Sequence, residues 1–409
     1  MHAQARLLRH HDNLLAVASP AIIDHPLPTI RPMTGHDAAD WISDRAQSFD
    51  ASGIRKVFDL AQSLKDPINL SIGQPDFDVP DAVRDAACDA IQSGKNAYSP
   101  TQGIGPLRES LTQRFVEPLR KADSAHDDRE LFVCSGTSGG LVLAMLATIN
   151  PGDEVIYGDP YFVMYPALLK MCGGVPKPID TYPDFRLTAE RVESAITTKT
   201  KMIIVNSPAN PTGVTSSDAE LQAIAELAER HGILLVSDEI YSRFMYDGPF
   251  VSPAKYNPRT LVIDGFSKSH AMTGWRVGYA HGPSDIVSTM LKIQQYSFVC
   301  SPQPAQWAAV EAMDVSLDHF IDDYRRKRDR ICEGLASHYE LTKPGGAFYL
   351  FPKAPGNDGG EAFVRRAIEK NLLIIPGKIF SDRDTHFRIS FAASDETLNR
   401  GIEVLQRLA

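Results

Sequence analysis

The sequence predicts an α/β protein: a large domain with a mostly parallel sheet sandwiched by helices, and a smaller α+β domain. Two observations lead to this fold class. Short apolar runs recur along the chain, each followed by a polar turn and then by a helical pattern, which is typical of parallel strands buried on both faces. In addition, a chain of 409 residues is too long for one simple core and suits two domains.

The predicted strands of the large domain are continuous apolar runs. They occupy residues 131–134, 154–157, 202–205, 233–236 and 261–263. Ligands bind beyond the carboxyl ends of the strands in sheets of this kind. The polar turns that follow the five runs are therefore predicted to share one binding edge.

The C-terminal part of the chain has a different pattern. An amphipathic stretch over about 314–338 predicts a long helix, and short apolar segments and a final helix follow it. The predicted short strands are residues 347–351, 372–376 and 386–392. We expect a large cofactor-binding domain over 76–315 and a small domain over 316–409, with the segment 46–75 packing against the small domain.

The N-terminal residues 1–45 carry basic side chains and then the apolar stretch LLAVASPAII at 14–23. Asp12 interrupts the start of that stretch and Pro20 divides it, which argues against a secretory signal. We expect a flexible N-terminal extension here. A signal peptide and a translation start at Met33 are the alternative interpretations.

The composition argues against several classes of function. The net charge is −9 and the isoelectric point is about 5.7, whereas a general nucleic-acid binder carries a basic face. The five cysteines form no CxxC pair and the histidines show no metal-ligand spacing, so we expect neither a disulfide framework nor a metal site. No apolar run approaches the roughly 20 residues of a membrane helix. We therefore expect a cytoplasmic protein without nucleic-acid or membrane partners.

The turns after the predicted strands contain most of the candidate site residues. They are Gly136, Thr137, Ser138, Phe162, Asn210, Asp238, Tyr241, Ser267, Lys268 and Arg276. The glycine-rich turn 135–140 precedes a helix, where backbone N–H groups bind phosphate, and an arginine can clamp the same group. Each residue alone has an ordinary structural explanation, such as a helix cap or a core aromatic ring. Together they indicate a ligand with a phosphate, a flat ring whose nitrogen meets a carboxylate, and a carbon that a lysine attacks; pyridoxal 5'-phosphate (PLP) has all of these.

These segments resemble those of the fold-type I aminotransferases of class I and II. GFSKSHAMTGWRVG (265–278) resembles the PLP attachment signature of that family. Other motifs that resemble the family's, in the same order, are LSIGQPDF (70–77), YSPTQG (98–103), NSPANPTG (206–213), SDEIY (237–241) and FRISFA (387–392). The resemblance covers about residues 45–409, and the stretch 43–61 is most similar to the branch of aspartate aminotransferases.

The resemblance implies a role for each candidate residue. Lys268 forms a Schiff base with PLP and then acts as general base and acid, while Asp238 pairs with the pyridine nitrogen. Asn210 and Tyr241 donate hydrogen bonds to the phenolic oxygen of the ring, Asn210 also faces the substrate, and Phe162 stacks on the ring. The remaining implied cofactor contacts come from Gly136, Thr137, Ser138, Ser267 and Arg276.

Further residues are implied to bind the substrate or the neighbouring subunit. Arg388 resembles the clamp for the substrate α-carboxylate, and Gly73 and Ile54 are implied to close over the substrate. Tyr98 resembles a tyrosine that reaches the cofactor phosphate of the neighbouring subunit, which implies a homodimer with shared active sites. Gly265 departs from some relatives, which carry a serine there, and this implies one missing hydroxyl contact to the cofactor.

The expected function is PLP-dependent transfer of an amino group between an L-amino acid and a 2-oxo acid such as 2-oxoglutarate, by a ping-pong mechanism. Aspartate or aromatic amino acids are the favoured substrates. A C–S β-lyase, or another lyase or synthase on the same fold, is the alternative, because the general cofactor residues do not separate these reactions. A regulatory module is disfavoured, because the N-terminal segment shows no helix-turn-helix pattern.

Overall fold

The structure is a computed structural model that describes residues 38–51, 53 and 64–409. Most of the predicted N-terminal extension, residues 1–45, and Ile54 lie outside the described residues. From Asp44 onward the described chain forms one compact unit, and the residues before it contain a 3₁₀ turn at Ala38–Trp41. No helix in this described part is long and apolar enough to cross a bilayer.

The strands are arranged in three sheets. They are β1 (Ile68–Asn69), β2 (Arg129–Cys134), β3 (Glu154–Asp159), β4 (Val175–Asp180), β5 (Thr200–Asn206), β6 (Leu234–Asp238), β7 (Leu261–Gly265), β8 (Gly278–Pro283), β9 (Tyr349–Leu350), β10 (Leu372–Leu373), β11 (Ile375–Pro376) and β12 (Phe387–Ser390). The central sheet has the order β2-β8-β7-β6-β5-β3-β4, and only β8 runs against the others. The mostly parallel sheet predicted from the sequence is thus confirmed.

The five strands predicted for the large domain coincide with β2, β3, β5, β6 and β7, whereas β4 and β8 were not predicted. The strand β8 contains glycine, histidine and proline instead of a continuous apolar run. The strand β4 lies at the edge of the sheet and carries Pro176 and Pro178, which are tolerated there because an edge strand leaves some backbone groups unpaired.

Helices cover both faces of the central sheet. The helices are α1 (Asp44–Gln47), α2 (Asp81–Gln92), α3 (Gly105–Leu111), α4 (Glu117–Ala122), α5 (Gly136–Thr148), α6 (Met164–Cys172), α7 (Ala189–Glu193), α8 (Asp218–His231), α9 (Ser284–Tyr296), α10 (Gln303–Ala312), α11 (Asp318–Leu335), α12 (Gly360–Glu369) and α13 (Asp395–Leu408). Alternate residues of β5 enter different apolar clusters, because successive side chains of a strand point to opposite faces. Met202 and Ile204 pack with α5 and α9, whereas Ile203 and Val205 pack with α8.

Two small sheets lie in the C-terminal part of the chain. One is antiparallel with the order β11-β12-β9, and in the other β1 pairs in parallel with β10. Through the second sheet, the segment that precedes residue 75 is joined to the C-terminal part. The predicted long helix corresponds to α11, and the division into domains near residue 315 stays a prediction.

The connection between β7 and β8, residues 266–277, is held at the binding edge of the central sheet. The two strands are antiparallel neighbours, and Gly265 at the end of β7 pairs with Gly278 at the start of β8. A Cβ atom on Gly265 would lie 2.9 Å from the Cα atom of Gly278, closer than such atoms approach. Glycine at 265 therefore lets the two strands come together, which gives a packing reason for the departure noted in the sequence.

Candidate active site

A cavity of about 280 Å³ lies at the carboxyl ends of β5, β6 and β7. The predicted site residues that line it are Gly73, Thr137, Ser138, Phe162, Asn210, Asp238, Tyr241, Ser267, Lys268, Arg276 and Arg388. The lining residues that were not predicted are Ile72, Gln74, Leu141, Asn206, Ile240, Thr273 and Tyr349. Gly136 lies directly behind Arg276, while Tyr98 lies at the surface and is 83% exposed. Ile54 is outside the described residues.

Lys268 places its amine in the middle of this cavity. Its Nζ atom donates a hydrogen bond to the carbonyl oxygen of Gly73 at 2.5 Å. Burial, together with the positive charges of Arg388 and Arg276, lowers the pKa of Lys268 to about 8, and the negative charge of Asp238 opposes this shift. A lysine with such a pKa is neutral in roughly a tenth of molecules at pH 7, far more than an ordinary lysine, and the neutral amine is the nucleophilic form.

Asp238 is a buried carboxylate at the end of β6. Its Oδ2 atom accepts a hydrogen bond from the hydroxyl of Tyr165 at 2.8 Å, and its Oδ1 atom accepts one from the backbone N–H of Ile240 at 3.4 Å. Burial raises the pKa of Asp238 to about 6, although these two donors oppose the rise. A cation bound next to this carboxylate would stabilise its ionised form and oppose the rise in its pKa.

The N-terminus of α5 forms an anion cradle with Thr137 and Arg276. The Thr137 hydroxyl is buried and has no hydrogen-bond partner in the described part of the chain. Among the described residues, Arg276 donates to the carbonyl oxygens of Thr273 and Ser135, at 2.9 and 3.2 Å. Gly136 has φ +70°, and a Cβ atom there would lie 2.6 Å from Nη2 of Arg276, so glycine makes room for the guanidinium. Helix N-termini of this kind bind phosphate.

Arg388 is a buried cation, 1% exposed, that lies on β12. Its Nη1 and Nη2 atoms donate to Asn210 Oδ1 at 3.0 Å and to the Ser71 carbonyl at 2.9 Å, whereas Nε has no partner among the described residues. Burial lowers its pKa. Since leaving a charge buried and unpaired is costly, this arrangement favours a bound anion next to Arg388.

Aromatic side chains form part of the remaining wall. The hydroxyls of Tyr241 and Tyr349 are 2.8 Å apart, and burial raises the pKa of both phenols. Phe162 contacts Tyr165 edge to face, with ring centroids 5.7 Å apart. Sequence reasoning missed Tyr165 and Tyr349 because each lies inside a regular element of the core, where an aromatic residue needs no functional explanation.

The cavity thus combines four chemical capacities. It offers a nucleophilic amine, a buried carboxylate suited to a cation, a cradle for a dianion such as phosphate, and a second anion site at Arg388. Arg276 of the cradle lies in the connection between β7 and β8 of the central sheet, whereas Arg388 lies on β12 of a small sheet. A ligand that contacts both arginines would therefore carry two negative groups.

Known proteins with similar sequences and structures are aminotransferases. The chain is 36% identical over 377 residues to the probable aspartate aminotransferase of Methanocaldococcus jannaschii, covering 90% of this chain and 99% of that protein. It is 37% identical over 364 residues to the aspartate/prephenate aminotransferase of Thermus thermophilus, covering 86% and 94%. The solved structure of the Thermus thermophilus aspartate aminotransferase with maleate matches with a TM-score of 0.84 at 36% identity, covering 90% of this chain and 99% of the other.

The family profile for aminotransferase class I and II matches residues 65–405, which is most of the chain. That range contains both the central sheet and the small sheets, and it includes all residues that line the cavity. The fold is accordingly that of the fold-type I PLP-dependent transferases. The chain belongs to the class I and II aminotransferase family.

Proposed function

We propose that this protein uses PLP to move an amino group between an L-amino acid and a 2-oxo acid by a ping-pong route. The observation that carries the proposal is the convergence of Lys268, Asp238, Arg276 and Arg388 on one cavity of about 280 Å³. Aspartate is a favoured donor because similar proteins are named for it, and aromatic donors are favoured by the aromatic wall. The favoured acceptor is 2-oxoglutarate.

The donors in the cavity fit PLP in three places. Thr137, with a buried and unpartnered hydroxyl, Arg276 and the N-terminus of α5 would hold the phosphate. Asp238 would form an ion pair with the protonated ring nitrogen, and Lys268 would bond to the aldehyde carbon. PLP supplies an aldehyde for the lysine and a ring that accepts electrons.

The chain's own residues orient the substrate and move its proton. The lowered pKa of Lys268 keeps part of the amine neutral, so it can take the proton from the substrate α-carbon and return it. Arg388 can hold the α-carboxylate with two parallel hydrogen bonds, which fixes the direction of the α C–H bond. The negative charge of Asp238 favours a protonated ring nitrogen.

The proposal is tested by absorption spectroscopy in two half-reactions. Purified protein should be yellow, aspartate alone should convert the visible absorption to that of the amine form, and 2-oxoglutarate should restore it. Borohydride reduction should fix the cofactor to the peptide that contains Lys268. Rapid release of pyruvate and ammonia from a donor that carries a sulfur leaving group on its β-carbon would contradict amino transfer and support a C–S β-lyase, and a protein that takes up no PLP would overturn both.

Replacing Arg388 by leucine is expected to reduce kcat/KM for every carboxylate donor by roughly 10²- to 10⁴-fold, because two charge-assisted hydrogen bonds are lost. The yellow absorption and the affinity for PLP should stay unchanged. Steady-state kinetics with a donor panel measure the first effect, and a PLP titration of the cofactor-free variant measures the second. An unchanged kcat/KM would show that the carboxylate binds elsewhere.

We also propose a cytoplasmic homodimer. Two tyrosines are almost fully exposed, Tyr98 at 83% and Tyr296 at 88%, and large aromatic surfaces of this kind are enriched at interfaces. The cytoplasmic location is supported by the five cysteines, all of which are unpaired.

If Tyr98 reaches the partner's cofactor, Tyr98→Ala should weaken PLP affinity, and dilution below the dimer dissociation constant should lower specific activity. Analytical ultracentrifugation and activity measured over the same dilution series check this. Full activity in a monomeric sample would contradict the shared site.

A further inference from the structure

The side chain of Tyr349 contacts three groups of the cavity: Tyr241, Arg388 and Gly73. Its hydroxyl is 2.8 Å from the hydroxyl of Tyr241. Its ring lies against the guanidinium of Arg388, with Cζ 4.6 Å from the ring centroid. The hydroxyl also lies close to Gly73, because a Cβ atom built on Gly73 would be 2.8 Å from it. The carbonyl oxygen of the same Gly73 accepts the hydrogen bond from the Lys268 amine.

The hydrogen bond between the two phenols has a preferred direction once a ligand accepts a hydrogen bond from the hydroxyl of Tyr241. Tyr241 then uses its own O–H toward the cavity, and only its lone pair is left for Tyr349, which must donate. Hydrogen bonds in such a chain strengthen one another in a low-dielectric interior. The charged groups that face this pair are the cations Arg388 and Lys268 and the anion Asp238.

The ring of Tyr349 has a second, separable effect. The Arg388 guanidinium lies over two aromatic rings, with Cζ 4.6 Å from the ring centroid of Tyr349 and 4.7 Å from that of Phe380. A cation is attracted to the faces of both rings, so the pair fixes the plane of the guanidinium. The plane decides which N–H groups point into the cavity toward an arriving carboxylate.

Resting on the proposed function, we propose that Tyr349 is a positioning residue that connects the carboxylate clamp to the phenol contacting the cofactor. Its hydroxyl strengthens the hydrogen bond that Tyr241 gives to the phenolic oxygen of PLP, and its ring holds Arg388 in the orientation that binds substrate. The two roles belong to different atoms and can be removed one at a time.

The hydroxyl role is tested with Tyr349→Phe, which keeps the ring. A hydrogen bond to the phenolic oxygen stabilises the form of bound PLP in which the imine nitrogen has lost its proton. Weakening that bond should therefore raise the midpoint of the pH titration of the visible absorption, by up to about half a pH unit. The titration is recorded on the cofactor-loaded protein without substrate, and KM for the amino donor should change less than about twofold.

The ring role is tested with Tyr349→Leu. This variant should show the same spectroscopic shift and, in addition, a rise in KM of roughly tenfold, since one of the two faces that orient Arg388 is gone. Tyr339→Phe serves as the matched control, because the buried hydroxyl of Tyr339 makes one hydrogen bond, to the Leu405 carbonyl at 2.7 Å, and does not line the cavity. The control should change neither quantity.

The outcomes distinguish the role of the Tyr349 hydroxyl, the role of its ring and the proposed function. An unshifted titration in Tyr349→Phe, or a shift that Tyr339→Phe reproduces, overturns the role of the hydroxyl. Equal KM in Tyr349→Phe and Tyr349→Leu overturns the role of the ring. A wild-type protein that binds no PLP, or that binds it without amino transfer, overturns the proposed function instead.

Discussion

Replacing Lys268 by alanine is expected to lower the rate of amino transfer by roughly 10³- to 10⁴-fold, because the general base that moves the substrate proton is removed. Borohydride should no longer fix the cofactor to the chain. The rate is measured in single-turnover reactions with aspartate, and the label is located by peptide mass spectrometry. The fold should be retained, since within the described part of the chain the side chain makes one hydrogen bond, to the Gly73 carbonyl.

The matched control for this prediction is Lys255→Ala. Lys255 has a side chain that is 57% exposed and lies outside the cavity, so its loss should affect neither the rate nor the label. If Lys268→Ala kept the wild-type rate, or if the label appeared on another lysine in the unmodified protein, the chemistry would have to be assigned to a different amine.

Replacing Asp238 by asparagine is expected to reduce kcat by roughly 10²- to 10³-fold, as is typical when one preorganised electrostatic partner of the reacting group is removed. Asparagine keeps the volume but has no negative charge for a protonated ring nitrogen. The measurement is kcat for the aspartate half-reaction with saturating PLP. Asp264→Asn is the control, because Asp264 is also buried, its pKa is raised to about 7 by burial, and it does not line this cavity.

The same residue gives an expected pH dependence. Burial raises the pKa of Asp238 to about 6, so the carboxylate that attracts a ring cation is present above about pH 6 and is lost as the pH falls through that value. The affinity of the cofactor-free protein for PLP should therefore decrease more steeply below pH 6 in the wild type than in Asp238→Asn. Parallel slopes in the two proteins would show that another group controls the titration.

The sequence predicted the parts of the fold whose patterns are strong. The strand β5 was found because its continuous apolar run is buried on both faces. The strand β8 was missed because it has glycines where a typical buried strand has large apolar residues. These positions leave no room for a side chain, since Cβ atoms on Gly278 and Gly282 would lie 2.9 and 3.0 Å from adjacent atoms. Its pairing with β2 and β7 is made by backbone groups, and a hydropathy pattern depends on side chains alone.

Much of the candidate site was predictable because many of its residues lie in turns after strands. Asp238 and Lys268 are polar residues in the short segments that follow apolar runs, and they drew attention for that reason. Tyr165 and Tyr349 lie within a helix and a strand, where burial alone explains an aromatic side chain. Only the distances of 2.8 Å from their hydroxyls to Asp238 and Tyr241 distinguish them from ordinary core residues.

The connection formed by residues 266–277 carries both Lys268 and Arg276, and its two ends are fixed side by side in the central sheet. On the proposed function, the spacing between the reactive amine and the phosphate anchor is therefore set by one short local segment. Libraries that vary loop length should leave that segment untouched. On the same proposal, donor preference would be redesigned through residues 72–74 and the surroundings of Arg388, without changing the segment that attaches the cofactor.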